Sequence, residues 1–162
     1  MKKLLLVLLL SFGFPQTDIV VSGIMHTADG GMAIQLVNKT GGASIKGTVG
    51  HPYHATAVDL AFDLIPDDEP DNIGIVYETG VADGDLCWIV VKGLAKIYFE
   101  GAVARGQFVR SQVAADGGTV GYAVSEAAPT APFTTDKHFQ ELGHILETTG
   151  GAGLSTCLLH AN

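Results

Sequence analysis

The stretch "GDLCWIVVKGLAKIYFEGAVARGQFVRS", residues 84–111, contains the only tryptophan of the chain and one of its two cysteines. It starts with an unbroken apolar run at positions 87–91. The following "LAKIYFEG" divides its side chains into two alternating sets, as the two faces of a strand require. The pattern predicts two consecutive strands, "LCWIVVKG" and "LAKIYFEG", at the centre of the fold. The expected core anchors are Trp88, Cys87 and Ile89, with Trp88 buried because it lies in the middle of the apolar run.

Turn signals recur about every ten residues around this centre, which is the spacing of an all-β domain. Asp-Gly turns occur in "VADGD" and "AADGG". Period-two or apolar segments predict strands in "TDIVVSGIMH", "MAIQLVNKTG", "ASIKGTV" (43–49), "IGIVYETG", "GQFVRSQV" and "TVGYAVS", whereas "AVDLAFDLI" fits a strand or a short helix. At the C-terminus we favour a hairpin with strands near 141–148 and 154–160 over a helix, because Gly143 would weaken a helix by about 1 kcal/mol. The prediction is one small β-barrel or sandwich of short antiparallel strands, with little helix, over residues 17–162.

Composition agrees with short strands joined by tight turns. The 162 residues include 21 glycines, are 47% hydrophobic and only 16% charged, and carry a net charge of -8. A chain of this length can bury a working core in a single domain. The acidic balance argues against nucleic-acid binding, since a phosphate backbone rewards lysine and arginine.

The first sixteen residues have a different character. "MKKLLLVLLLSFGF" combines a basic start with about ten apolar residues, which is typical of a secretory signal. The run is short for a membrane span, and no small-x-small cleavage pattern follows it. The alternatives are a signal that is cleaved or inserted in lipid, a hydrophobic arm that packs on a partner chain, and a start codon assigned too far upstream. Membrane contact would require the segment to be retained as an anchor.

Candidate chemical sites are weak in the sequence. His51 and His54 lie three residues apart, with His138 and His144 downstream, but no His-Glu-x-x-His or Cys-x-x-Cys motif accompanies them. The acidic "PDDEPD" lacks the spacing of an EF-hand loop, and no Gly-x-Ser-x-Gly elbow is present. We therefore expect no catalytic residue, no metal and no cofactor.

Two further features concern covalent chemistry. Cys87 and Cys157 each fall in a predicted strand. If those strands are neighbours, the thiols are expected to lie close together but to stay reduced. If the protein is secreted, they are expected to be oxidised. Asn38-Lys39-Thr40 is a glycosylation sequon by its letters only.

Four stretches in order carry a family resemblance: "NKTGGASIKGTVG", "IGIVYETGVADGDLCWIVVKGLAKIYFEG", "ARGQFVRSQVAADGGTVGYA" and "HFQELGHILET" followed by "GLSTCLLHAN". Together they resemble the small head-decoration (capsid cement) proteins of tailed bacteriophages over about residues 38–162. The shared features are glycines and apolar alternation, without a catalytic signature. The resemblance implies a β-barrel or β-tulip domain that stabilises a capsid by burying surface against the major capsid protein, as a homotrimer on the virion.

Contacts for such an assembly are expected in two places. A closed homotrimer gives each copy the same contact and leaves no open end. An N-terminal arm, about residues 17–37, would grip a neighbouring subunit, and two arginines would lie at the polar rim. The candidate contact residues are Thr17, Asp18, Ile19, Val20, Val21, Arg105 and Arg110.

Two alternatives belong to other classes. The leader-like N-terminus favours a secreted or surface-exposed β-domain, such as a fibre or surface-layer subunit. The histidines favour, more weakly, a small hydrolase or metal-dependent enzyme.

Overall fold

The computed structural model describes residues 19–21, 23–55, 58–64, 71–111, 118–127 and 141–160. These residues contain strands and no helix, so none of them forms a helix that could cross a membrane. The strands are β1 (Ile19–Val21), β2 (Ile24–His26), β3 (Gly31–Asn38), β4 (Val49–Pro52), β5 (Ala61–Leu64), β6 (Gly74–Val76), β7 (Leu86–Phe99), β8 (Phe108–Ser111), β9 (Ala123–Glu126), β10 (Glu141–Ile145) and β11 (Gly153–Leu159).

Strand β7 is shared by two rings of strands. The order β1-β2-β3-β5-β4-β6-β7-β11-β10-β8-β9 is closed by two additional pairings, β3 with β7 and β7 with β9. The first ring is therefore β3-β5-β4-β6-β7, and the second is β7-β11-β10-β8-β9. The first half of β7 pairs with β3 and the second half with β11. The predicted all-β fold with a C-terminal antiparallel hairpin is confirmed.

The apolar run in β7 exists because both faces of its first half are covered. Cys87 and Ile89 pack in a cluster formed only by strands of the first ring. Val90 belongs to a larger cluster to which both rings contribute. A strand buried on both faces needs a continuous apolar sequence, not an alternating one. The expectation that Trp88 is buried is wrong: its side chain is only partly buried and packs against the larger cluster.

A bulge separates the two halves of β7. In the pairing of β7 with β3, Val90 pairs with Ala33 and Lys92 pairs with Met32. No β3 residue pairs with Val91, which is the bulged residue. Gly93 follows with a φ of 84°, and a Cβ there would lie 2.9 Å from a backbone oxygen of β3's preceding turn. Beyond it the side chains alternate, with every second one buried in the larger cluster. The two strands predicted on either side of Gly93 are thus a single strand.

Several predicted segments differ in detail. The predicted strand at 43–49 is wrong except for Val49, because Lys46 and Gly47 form a turn. Ser44 holds this segment in place by donating to the Glu78 carbonyl over 2.8 Å and accepting from the Val81 amide over 3.0 Å. "TDIVVSGIMH" contains the hairpin β1–β2, and "AVDLAFDLI" contains a strand, β5.

Most of the expected N-terminal arm is part of the sheet. β3 is the partner of β7, and Ala33 is fully buried. Met25 in β2 also belongs to the larger cluster. Residues 31–37 of the expected arm belong to the first ring and Met25 belongs to the core, so the structure restricts the arm expected at 17–37 to the residues before 24.

Asn38 joins three separated segments at the end of β3. Its side-chain amide donates to the carbonyls of Gly42 and Val81 over 2.9 Å each, and its oxygen accepts from the Thr40 amide. The residue is fully buried. Both amide hydrogens are therefore engaged, and the sequon at this position is inaccessible in the folded protein.

We predict that Asn38→Asp destabilises the fold by about 3–5 kcal/mol, because a buried carboxylate would face two carbonyls that have lost their donor. Urea unfolding followed by circular dichroism measures the change. Thr40→Ala, which removes an exposed hydroxyl in the same loop, is the control and should stay within about 0.5 kcal/mol of wild type. An equal effect of the two variants would contradict the role assigned to Asn38.

Candidate functional site

The irregular backbone of β10 places two polar side chains on the outer face of the second ring. Leu142 and Ile145 both lie in the core although they are three residues apart. The pairing of β10 with β8 shifts register between Glu141 and Gly143. Because neighbouring side chains of a strand point to opposite faces, Glu141 and His144 both fall on the outer side. A Cβ at Gly143 would lie 2.0 Å from the Leu158 carbonyl oxygen, so this close approach requires glycine.

Glu141, His144 and His160 form a cluster, called here the Glu141 cluster. The carboxylate oxygen Oε1 of Glu141 lies 3.6 Å from Nε2 of His144 and 3.1 Å from Nε2 of His160. The centroids of the two imidazole rings are 5.0 Å apart, and the centroid of the Phe108 ring is 4.8 Å from that of His144. The exposed fraction is 5% for the Glu141 side chain, 41% for His144 and 34% for His160. The cluster therefore has a buried base and an open rim.

The Nε2 atom of His160 is buried and makes no hydrogen bond to a described protein atom. It lies near the Glu141 carboxylate, but the distance alone does not make a hydrogen bond, since a ring N–H must also point at its acceptor. The cluster offers two imidazole nitrogens and one carboxylate oxygen within 4.8 Å of one another. It is the one such group of three among the described side chains.

Sequence reasoning missed this cluster. The sequence offers His51, His54, His138 and His144 as candidate ligands. Only His144 belongs to the cluster. In the structure the rings of that pair are 5.8 Å apart, and Nε2 of His51 is 2.8 Å from the Leu64 carbonyl oxygen. His138 lies outside the described residues. The pairing of Gly143 with Leu159 brings His160 back to β10, but finding this in the sequence requires the hairpin register and the bulge.

The candidate contact residues are spread over the molecule. Ile19, Val20 and Val21 form β1, which pairs only with β2 among the described strands; Thr17 and Asp18 lie outside the described residues. Arg105 is exposed in a turn before β8. The Nε atom of Arg110 is 3.1 Å from the Glu126 carboxylate. Arg110 therefore forms an ion pair within the chain. β8, which contains Arg110, is not next to β1 in the strand order.

The two thiols are far apart although their strands are neighbours. Cys157 pairs with Ala95, which is roughly 25 Å along β7 from Cys87 at the usual rise of a strand. A disulfide needs Cα atoms within about 7 Å. Both cysteines are free and buried, and burial raises the pKa of Cys157 to about 12 and also raises the pKa of Cys87. The expected proximity of the thiols is wrong.

The outer side of the C-terminal hairpin exposes a leucine face, defined by Leu146, Leu154 and Leu158. Each is 41–43% exposed. Leu154 and Leu158 lie on β11 with Thr156 between them, and the Leu146 amide donates to the Thr156 carbonyl. These three leucines are therefore a candidate contact surface.

A polar group crosses the leucine face. The Glu147 carboxylate accepts hydrogen bonds from the hydroxyl and amide of Thr156 and from Nζ of Lys96. These bonds, those from Thr156 first, lower the pKa of Glu147 from 4.5 to about 2. Because the folded pKa is lowered, the contribution of these bonds to stability is present above pH 4.5 and is lost as the pH falls toward 2. At neutral pH the group combines one positive and one negative charge.

No protein-family model matches the chain, and no curated protein is significantly similar to it. The resemblance to head-decoration proteins is thus supported only by the sequence stretches that suggested it. The described surface also has a depression of about 50 Å³ beside β9, lined by residues that include Glu100, Val103 and Ser125. This volume has room for water and not for an organic substrate.

We predict that the native protein shows no fast reaction with a thiol reagent such as dithiobis(nitrobenzoate), and that both thiols react once guanidinium unfolds it. Burial and the raised pKa values suppress the thiolate in the native state. The absorbance of the released thiolate counts the groups. Because the thiols are too far apart to pair, the result should be the same for protein made in an oxidising compartment. A disulfide within one chain would contradict the register of β7 and β11.

Proposed function

We propose that this protein is a structural virion protein that decorates and stabilises a bacteriophage capsid as a homotrimer. The leucine face is the observation that carries the proposal, because exposed leucines on a paired hairpin are suited to a protein contact. The sequence resemblance to head-decoration proteins supports the specific role. The two rings around β7 supply a rigid support for such a surface.

The occupant proposed for the leucine face is a second copy of this chain. Copies with a net charge of -8 repel one another over most of their surfaces. On the leucine face, however, Lys96 and Glu147 balance each other, with Nζ 3.2 Å from the carboxylate. This balance lowers the charge repulsion between two acidic copies at this face. In a trimer the leucine face of each copy contacts a different surface of the next copy, and the cyclic arrangement satisfies this contact in every copy and stops growth at a closed oligomer.

The capsid contact is assigned to the N-terminal segment. β1 lies at one end of the strand order and pairs only with β2 among the described strands. An edge strand has backbone groups that can pair with another chain. The major capsid protein is the proposed partner, with the arm shortened to the residues before 24.

The alternative is a secreted or surface-exposed β-domain without enzymatic activity. The leader-like sequence "MKKLLLVLLL" favours it. Sequencing the N-terminus of the mature protein separates the two: a chain that starts after about residue 16 supports export, and an intact leader supports the arm. Thiol oxidation does not separate them, because Cys87 and Cys157 are too far apart to pair in either compartment.

We predict that the purified protein is a homotrimer, and that the double variant Leu154→Glu and Leu158→Glu is a folded monomer. Carboxylates on this face would add repulsion between copies and remove apolar burial. Light scattering coupled to size exclusion measures the mass. Leu86→Glu is the matched control, since Leu86 is 57% exposed but lies at the other end of β7, and it should remain trimeric. A monomeric wild-type protein would refute the trimer.

We also predict that a chain lacking residues 1–21 folds and trimerises but no longer binds capsids. The deletion removes the arm and β1 while keeping Met25 in the core. Co-sedimentation with undecorated phage heads, followed by electron microscopy, measures occupancy. The full-length chain serves as the positive control. Wild-type occupancy by the truncated chain would eliminate the arm, and failure of the full-length chain to bind any capsid would count against the proposed function.

A further inference from the structure

The spacing of the donor atoms in the Glu141 cluster is close to that of a metal site. Ligand atoms bound to zinc at its usual bond lengths in a tetrahedron stand about 3.3 Å apart. The Glu141 oxygen lies 3.1 Å from one imidazole nitrogen and 3.6 Å from the other. The nitrogens of His144 and His160 lie within 4.8 Å of each other, and both side chains are partly exposed.

The chemistry of the donors selects the ion. Two imidazole nitrogens and one carboxylate oxygen suit zinc and its neighbours cobalt and nickel, whereas calcium and magnesium prefer oxygen ligands alone. Three protein ligands leave one position of a tetrahedron for water or another ligand. The open rim formed by the two histidines provides the access that this position needs.

His160 provides independent support. Its Nε2 atom is buried without a hydrogen-bond partner in the described part of the chain. A buried polar atom without a partner is costly, and such atoms in proteins call for an explanation such as an ion. A metal at the centre of the cluster would bind this nitrogen through its lone pair.

We propose that Glu141, His144 and His160 bind one divalent transition-metal ion of the zinc type. The hairpin β10–β11 fixes two of the ligands through its backbone pairing, since the His160 amide donates to the Leu142 carbonyl over 3.2 Å. Gly143 fixes the bend that brings Glu141 and His144 to one side. All three ligands come from one chain, so no partner subunit is needed to complete the site.

The test is calorimetric titration of the untagged full-length protein with zinc chloride after treatment with a chelator. We expect one zinc ion per chain, bound far more tightly than calcium or magnesium. His144→Ala and His160→Ala should each weaken binding by at least about tenfold, because even the loss of an outer-shell partner costs 10–100-fold. His54→Ala is the matched control, since His54 is exposed and outside the cluster, and it should bind zinc as wild type does.

A second measurement keeps the proposal testable if a variant folds poorly. Cobalt added to the wild-type protein should give the intense visible absorption of a four-coordinate site, and Glu141→Gln, which preserves the side-chain shape, should remove or shift it. Circular dichroism checks that each variant is folded. No zinc binding by the wild-type protein, or undiminished binding by the folded His144→Ala and His160→Ala variants, would overturn the assignment.

Discussion

The rest of the structure depends on the backbone pairing of β7, whose two halves belong to different rings. Its first half pairs with β3 and its second half with β11. The bulge at Val91 and the left-handed backbone of Gly93 change which alternate set of side chains faces the larger cluster: Val90 before the bulge, and Ala95 and Ile97 after it. Residues on both sides of the bulge therefore contribute to the same larger cluster. This one strand couples the two cores, so that neither ring closes without it.

Much of the fold could be predicted from local pattern alone. Period-two alternation identified the second half of β7, and turn chemistry placed the boundary between β6 and β7. The apolar run at 87–91 indicated a central strand, but it did not show that each face meets a different cluster. Trp88 was misplaced for that reason: a continuous apolar run does not specify which side chain lies at the rim of a core. The strand predicted at 43–49 failed because alternation was read without weighing Gly47, which forms a turn.

The Glu141 cluster was less predictable than the fold. In a regular strand, residues three apart lie on opposite faces, so the spacing of Glu141 and His144 argues against a shared site. Only the register shift at Gly143 brings them together. His160 joins them through hairpin pairing, which depends on the length of the connecting loop. The leucine face could not be predicted either, since local sequence does not show which leucines remain exposed in the fold.

The sharing of β7 also has a consequence for how the chain folds during synthesis. Ile89 pairs with Ile34, far earlier in the sequence, and Ile97 pairs with Ser155, near the C-terminus. Contacts of such long sequence separation slow folding. A nascent chain that has completed β7 still lacks β11, so half of its central strand stays unpaired and exposes apolar side chains. The second ring can therefore close only after β11 has been synthesised, and the leucine face forms only at that stage.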